Sequence, residues 1–407
     1  MPLLRDSQPK AVLVGAFDRF NYGDLLFPII VKEEIRILRP DIDIEVHALI
    51  QSDLSRYGAL KTLSLKSLYK GNTLLPDDAV IFAGGGTIGV DWLYMHSNIL
   101  GNFGNRALYY LRRVLGSETA NALSRYYFGA RSPFPWVARP ENFPVPVKVA
   151  YNAIGGSEFA KLSSMAKAQT LACLEQASYL SVRDAETKRL FSPVEEHIPV
   201  ELAPDSAVLM SEQFPVTRLE DLSSKLLASS ILSGRYVCFQ ANVSYARKHA
   251  DKIASVLEGL YEAHGFRAVL LPIGRYVGLD DHIALRSILT KLRSPAELAG
   301  DELSLWEIML TIARAQLFIG TSLHGNITSQ SFEVPHMGLS DRPCKLDYYL
   351  ATWALPELSQ CVALDNVVDH ASKILAIPKC RFQSKRTEVL ALSHMNFLKL
   401  GQACGLV

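Results

Sequence analysis

Short apolar runs recur along the chain, most of them followed by a glycine-bearing or polar turn and then by helical spacing. Residues 10–16 (KAVLVGA), 79–83, 147–154, 178–182, 235–240, 268–272 and 315–319 are of this kind. They are Val-, Ile- and Leu-rich and mostly unalternating, which predicts parallel strands buried on both faces. Residues 42–49 alternate instead, which places that strand near a sheet edge. Helical spacing follows over 25–38, closed by Pro40, and over 162–176, 250–264, 306–313 and 388–400. Repeated strand–turn–helix units predict an α/β fold of doubly wound, Rossmann-like halves. The strand signal lapses over 211–232, read as a linker plus helix, and restarts at Arg235. The expected domains are therefore 1–215, 233–385 and a terminal segment, 386–407. Two halves with polar residues at their strand ends imply a ligand cleft between them.

One stretch breaks the pattern. Over 101–147, Arg106, Arg112, Arg113, Arg125, Arg131 and Arg139 are interleaved with Phe103, Tyr109, Tyr110, Tyr126, Tyr127, Phe128, Phe134 and Trp136. Five prolines from Pro133 to Pro146 then exclude regular structure. An insertion of one or two amphipathic helices and a Pro-rich loop is expected. It suits an anionic, lipid-linked or polymeric partner; it equally suits a packed hairpin with snorkelling arginines.

Bulk charge adds little. The 407 residues carry 42 Lys and Arg against 41 Asp and Glu, so nothing points to nucleic acid. Six scattered cysteines without a C-x-x-C pair suggest neither zinc nor a redox dithiol. Asp280, Asp281 and His282 are too few for a metal site, and no metal or cofactor is expected. Charges interrupt the N-terminal apolar run, and no run approaches the ~20 residues of a membrane span. The expected location is cytoplasmic, with the inner face of the membrane open.

The candidate chemistry sits in the turns. Gly320 to Ser329 (GTSLHGNITS) joins a buried strand to a helix. Such a junction aims backbone N–H groups into a crevice, and His324 adds a side chain that titrates near neutral pH. The alternative is a helix-start histidine held by backbone. Asn21, Tyr22, Gly23 and Asp24 form the turn after the first strand; Gly23 and Asp24 also read as a turn and a helix cap. Gly84, Gly85, Gly86 and Thr87 follow another buried strand, where backbone can approach an anion. Arg183 ends a strand and could grip a phosphate or carboxylate, or pair with Asp184 or Glu186. No G-x-G-x-x-G fingerprint supports a nicotinamide cofactor.

Asn21-Tyr22-Gly23-Asp24, Gly84-Gly85-Gly86-Thr87, Ser181-Val182-Arg183-Asp184, Pro204-Asp205-Ser206-Ala207 and Leu323-His324-Gly325 occur in this order. Together they make the chain resemble the polysaccharide pyruvyl transferase family over about residues 11–350. The resemblance implies a GT-B-like fold whose final helix crosses back to the first domain. It implies transfer of pyruvate from phosphoenolpyruvate to sugar hydroxyls of a polysaccharide or its lipid-linked precursor, as a ketal. In the family an Arg-Leu-His triplet handles the donor; here Leu323 and His324 match, and Ser322 stands in the arginine's place. Arg183, Arg275 or Arg247 would then supply the cation. On this reading His324 and Asp24 are catalytic, and Ser322, Leu323, Gly325 and the Gly84–Thr87 turn flank the donor. Asn21, Tyr22 and Gly23 face the acceptor. Two other readings stay open: a glycosyltransferase using a nucleotide sugar, and a non-catalytic glycan-binding partner in polymer assembly. Peripheral contact with the membrane is open as well.

Overall fold

The computed structural model describes residues 9–407 other than 72, 87, 101, 224–229, 276–280 and 301. Twelve strands form two separate sheets among these residues. The first contains β1 (Ala11–Val14), β2 (Ile44–Ala48), β3 (Leu63–Ser64), β4 (Ala79–Phe82), β5 (Lys148–Ile154), β6 (Tyr179–Val182) and β7 (Glu201–Leu202). The second contains β8 (Tyr236–Gln240), β9 (Arg267–Leu270), β10 (Ala296–Leu298), β11 (Leu317–Gly320) and β12 (His336–Gly338). Their orders are β3-β2-β1-β4-β5-β6-β7 and β10-β9-β8-β11-β12, with all pairings parallel. Both orders reverse direction in the middle, between β1 and β4 and between β8 and β11. In doubly wound sheets such a switch point opens the crevice that takes a ligand.

The apolar runs form strands because both their faces are covered. Ala11 to Val14, Ala79 to Phe82 and Leu317 to Ile319 are all at most 2% exposed. One apolar cluster joins the two halves, drawing Leu13 and Ile81 from the first sheet and Cys238 and Phe318 from the second. Two further clusters cover the outer faces. β3, β10 and β12 have two or three residues each. Runs that short carry no periodicity and went unpredicted.

The helix Tyr22–Leu38 begins three residues before the predicted Leu25, so Tyr22, Gly23 and Asp24 are helical. Its Pro28 has no N–H to offer the carbonyl of Asp24, four residues earlier. The loop after β1 is laced to the loop after β9. Tyr22 donates its N–H to the Ile273 carbonyl at 3.2 Å, and Arg275 donates its N–H to the Phe20 carbonyl at 3.1 Å.

The last helix, Lys379–Cys404, straps both halves. Arg386 Nε donates to the Ser331 carbonyl of the second half at 2.8 Å. Asn396 donates to Asn152 at 2.7 Å and accepts from Tyr179 at 2.8 Å, both in the first.

Residues 102–127 form two helices, Asn102–Leu115 and Ser117–Tyr127. The Pro-rich stretch behind them is irregular, as expected, and largely buried. Phe134, Trp136, Val137, Ala138 and Phe143 are buried in one outer cluster. Prolines leave the backbone irregular without keeping it out of the core.

Candidate functional site

The two switch points face each other. His324 lies in the first turn of the helix Leu323–Ser331, directly after β11. Ser322 begins that helix, its hydroxyl accepting the Gly325 N–H at 3.1 Å. The Thr328 hydroxyl donates to the His324 carbonyl at 2.7 Å and is also hydrogen-bonded to the Tyr22 hydroxyl at 2.9 Å. The backbone of His324 is therefore tied across the interface. Its ring stands edge-on to Phe27, with centroids 5.2 Å apart.

The ring also sits on Gly23. A Cβ added at Gly23 would lie 1.8 Å from His324 Nδ1, which no side chain can tolerate. Gly23 is helical, so alanine suits its backbone and would raise helix propensity. We expect Gly23→Ala to keep or gain melting temperature while turnover drops at least tenfold, because only the histidine is displaced. Unchanged turnover in this variant would show that the ring position is irrelevant.

His324 Nε2 is 3.7 Å from Asp205 Oδ2, just outside hydrogen-bonding distance, and has no other partner among the described residues. That same Oδ2 accepts from Arg183 at 3.0 Å, and Asp205 Oδ1 accepts the Ala207 N–H at 3.1 Å. Arg183 and Asp205 are 1% and 0% exposed. Arg183 is thus an ion-pair partner of Asp205, not of Asp184 or Glu186. Asp184 caps its own helix at Thr187, and Glu186 binds Arg189. Arg183 Nε is buried without a partner among the described residues, so the guanidinium retains donor capacity. Gly86 and Gly155 leave it room: a Cβ at Gly155 would come within 2.7 Å of Nε, and one at Gly86 within 3.4 Å of the nearest terminal nitrogen.

Lys345 adds a second cation whose charge reaches this group. It opens the helix Lys345–Trp353, which docks on the end of β6. Trp353 donates to the Arg183 carbonyl at 2.7 Å, and Thr352 accepts the Ala185 N–H at 3.1 Å. Lys345 is exposed at the start of that helix, with protein crowded around its ammonium group. Burial and then Arg183 depress its ammonium pKa, opposed by Asp24. Burial holds His324 well below the usual histidine range, with Arg183 and Lys345 adding to the effect. The main cause is desolvation, to which the two cations add. Burial also raises Asp24, against Arg19, Lys345 and Arg183, and raises Asp205 against Arg183. A carboxylate raised in this way is a stronger base, and a depressed imidazole is neutral in the empty site.

Several candidates lie elsewhere or do other work. Tyr22 is fully buried and hydrogen-bonded inside the interface, so it does not face an acceptor. Leu323 is core. Gly325 does not clear a path for a ligand; the Phe318 ring fills the place of its Cβ, at 2.3 Å. Ser322 is a helix cap. Gly84 and Gly85 have φ of +84° and +89°, conformations that favour glycine. The Gly84 N–H is taken by the Phe82 carbonyl, and the Gly85 carbonyl accepts the Gly155 N–H at 2.9 Å, so the Gly84 N–H is not held open for an anion. Arg275 donates to the Leu303 carbonyl at 2.6 Å and stacks on Phe20 and Tyr57. Arg247 is exposed on the helix Val243–His264 and is not among the cations acting on His324. Asn21 donates to Asp24 at 2.9 Å. Thr87 and Asp280 lie outside the described residues; Asp281 accepts from Gln240 at 3.2 Å.

Sequence reasoning missed Lys345 and Phe27 altogether. It quoted Asp205 only within a motif. Lys345 opens the helix after β12, a strand too short to be read from sequence, so it carries no local signal; Phe27 reads as one more apolar position on a helix.

No curated protein matches the chain in sequence. Solved structures do match in shape. The N-terminal domain of trehalose-6-phosphate phosphatase from Candida albicans superposes with a TM-score of 0.53 at 11% identity, covering 98% of this chain and 97% of that one. UDP-GlcNAc 2-epimerase from Methanocaldococcus jannaschii gives 0.51 at 11% identity, covering 92% and 94%. Likeness at this identity concerns the fold, a GT-B-like pair of Rossmann-type halves. The sequence pattern of one family spans the turn at Asn21, the ion pair at Arg183 and the histidine at 324. Matching it over residues 21–342, the chain belongs to the polysaccharide pyruvyl transferase family.

Proposed function

We propose that the protein transfers the pyruvyl group of phosphoenolpyruvate to two hydroxyls of one sugar, forming a cyclic ketal and releasing phosphate. The acceptor is a polysaccharide or its lipid-linked precursor. The observation that carries this reading is the Arg183–Asp205 ion pair beside His324 where the two switch points face, with Lys345 and Asp24 near enough for charge to couple them to it. It combines cations for a phosphate and a carboxylate with a proton donor and a base.

The chemistry runs through two oxocarbenium-like centres. His324, protonated once the donor's charge is bound, gives its proton to the methylene carbon, which becomes the methyl group. The adjacent carbon is left electron-deficient, and a first sugar hydroxyl adds to it as Asp24 takes the proton. The bond from that carbon to the phosphate oxygen then breaks, phosphate leaves with the bonding pair, and the second hydroxyl closes the ring. Two hydroxyl protons are lost; one balances the methyl proton and the other leaves with phosphate. Arg183 and Lys345 hold the donor's anionic groups throughout.

Lys345 stands in for the arginine that Ser322 replaces. Charge-assisted bonds of this kind contribute about 1.5–3 kcal/mol. Lys345→Ala should therefore weaken phosphoenolpyruvate binding by roughly 10- to 100-fold, with little change in melting temperature because the side chain touches solvent. Calorimetric titration checks it, and unchanged affinity would remove Lys345 from the donor site.

The reaction is tested by mass spectrometry of candidate glycans incubated with phosphoenolpyruvate. A gain of pyruvate minus water, matched by phosphate release, is expected. Transfer from a nucleotide sugar in place of that gain would overturn the proposal.

A further inference from the structure

We propose that the helical hairpin Asn102–Tyr127 is a docking surface for an anionic lipid bilayer. The first observation is where the exposed apolar side chains lie. Of the large hydrophobic residues exposed among the described residues, Tyr109, Tyr110, Val114, Leu115, Leu123, Tyr126 and Tyr127 all fall within this hairpin. Tyr110 and Val114 are 71% exposed, and Tyr126 is 80% exposed. Half-buried Gly104, Leu108 and Leu111 turn the first helix inward, and buried Ala120 and Ser124 do so for the second. The outer faces are left uncovered by any element among the described residues. Concentrated apolar exposure of this kind marks an interaction site.

The second observation is charge. Arg106, Arg112, Arg113 and Arg125 stand on the same two helices against a single acid, Glu118, in a chain whose charges otherwise nearly cancel. Lys66 and Lys70, from the neighbouring helix Leu65–Lys70, place their ammonium groups 5.9 and 6.0 Å from the ring centres of Tyr127 and Tyr126. Arg112, Tyr94 and Tyr109 line one groove of about 220 Å³ beside the hairpin. Basic and aromatic side chains on a protruding amphipathic hairpin fit the interfacial zone of a membrane, where headgroups are anionic and tyrosine rings are half-solvated. No helix among the described residues is long and apolar enough to cross a membrane, so the contact proposed is peripheral. This surface does not depend on the identity of the donor.

The test is co-sedimentation of the full chain with phosphatidylcholine vesicles, with and without phosphatidylglycerol, at low and high salt. The wild type should pellet with the anionic vesicles and be released by salt. Arg106→Ala/Arg113→Ala should lower the partition coefficient about 25-fold, roughly five-fold per arginine. Tyr109→Ser/Tyr110→Ser should weaken binding without changing its salt dependence. Melting temperature should hold in both, since these side chains are exposed. Equal sedimentation of wild type and arginine variant overturns the proposal, as does binding to neutral vesicles alone. Light scattering that shows a wild-type dimer and a monomeric tyrosine variant would reassign the face to a second copy of the chain and overturn it too.

Discussion

His324→Gln should lower turnover by about 10²–10⁴, the usual cost of losing a general acid, while the fold survives. Glutamine is close to histidine in size and keeps some hydrogen bonding, but it cannot cycle a proton. The ring it replaces is bonded to no side chain among the described residues: Nε2 is unpartnered there and 3.7 Å from Asp205. Part of the donor affinity should remain, because Arg183 and Lys345 are untouched. Wild-type turnover should fall toward high pH as the donor-bound imidazole loses its proton, and the variant should lack that limb. Stability carries its own signature. Burial depresses the folded-state pKa of His324, so the folded chain binds fewer protons than the unfolded one. The resulting stabilisation is complete above the ordinary histidine value of about 6.5 and is lost as pH falls below it. Urea midpoints at neutral and mildly acid pH should therefore converge in the variant. Near-normal turnover in His324→Gln would reduce the residue to a structural histidine.

Arg183→Ala should cost about 3–5 kcal/mol of folding stability, the penalty for leaving a buried charge without its partner. Asp205 is fully buried, and among the described residues its carboxylate's only other hydrogen bond comes from the Ala207 N–H. The sequence alone suggested an arginine whose loss weakens donor binding more than folding. The ion pair makes both losses large, so the single variant cannot separate them. Arg183→Ala/Asp205→Ala can. With both charges gone, most of the stability should return, since the group left uncompensated by either single change is absent. If Arg183 grips the donor, turnover stays low in the refolded double variant. Restored turnover would make Arg183 a structural residue, and a single variant as stable as wild type would remove the energetic role of the pair. Chemical denaturation and phosphate release on one preparation give both answers.

Much of the fold was legible because buried parallel strands have a local signature. Ala11–Val14, Ala79–Phe82 and Leu317–Gly320 are apolar at nearly every position, so each could be placed to within one or two residues. The restart of that signature at Tyr236 marked the second sheet. His324 was legible for the same reason: a strand, a glycine and a helix start come in sequence, and doubly wound sheets keep ligands at such ends. Where an element is too short for a period, as in β3, β10 and β12, no local signal exists.

The sequence by itself determined the strand–turn–helix units, the polar residues at their carboxyl ends and the order of the motifs. These depend on neighbours within a few positions. Only the tertiary structure decided which of those residues meet. That Gly23 seats the His324 ring, that Arg183 pairs with Asp205, and that Lys345 joins them from a helix well past the last recognised motif are facts of long-range packing. Tertiary packing also buried Tyr22, stacked Arg275 on aromatic rings and placed Phe318 beneath Gly325. A polar residue at a strand end can face a ligand, cap a helix or pair in the interior. Its own backbone allows all three, and the side chains brought against it from elsewhere in the chain select one.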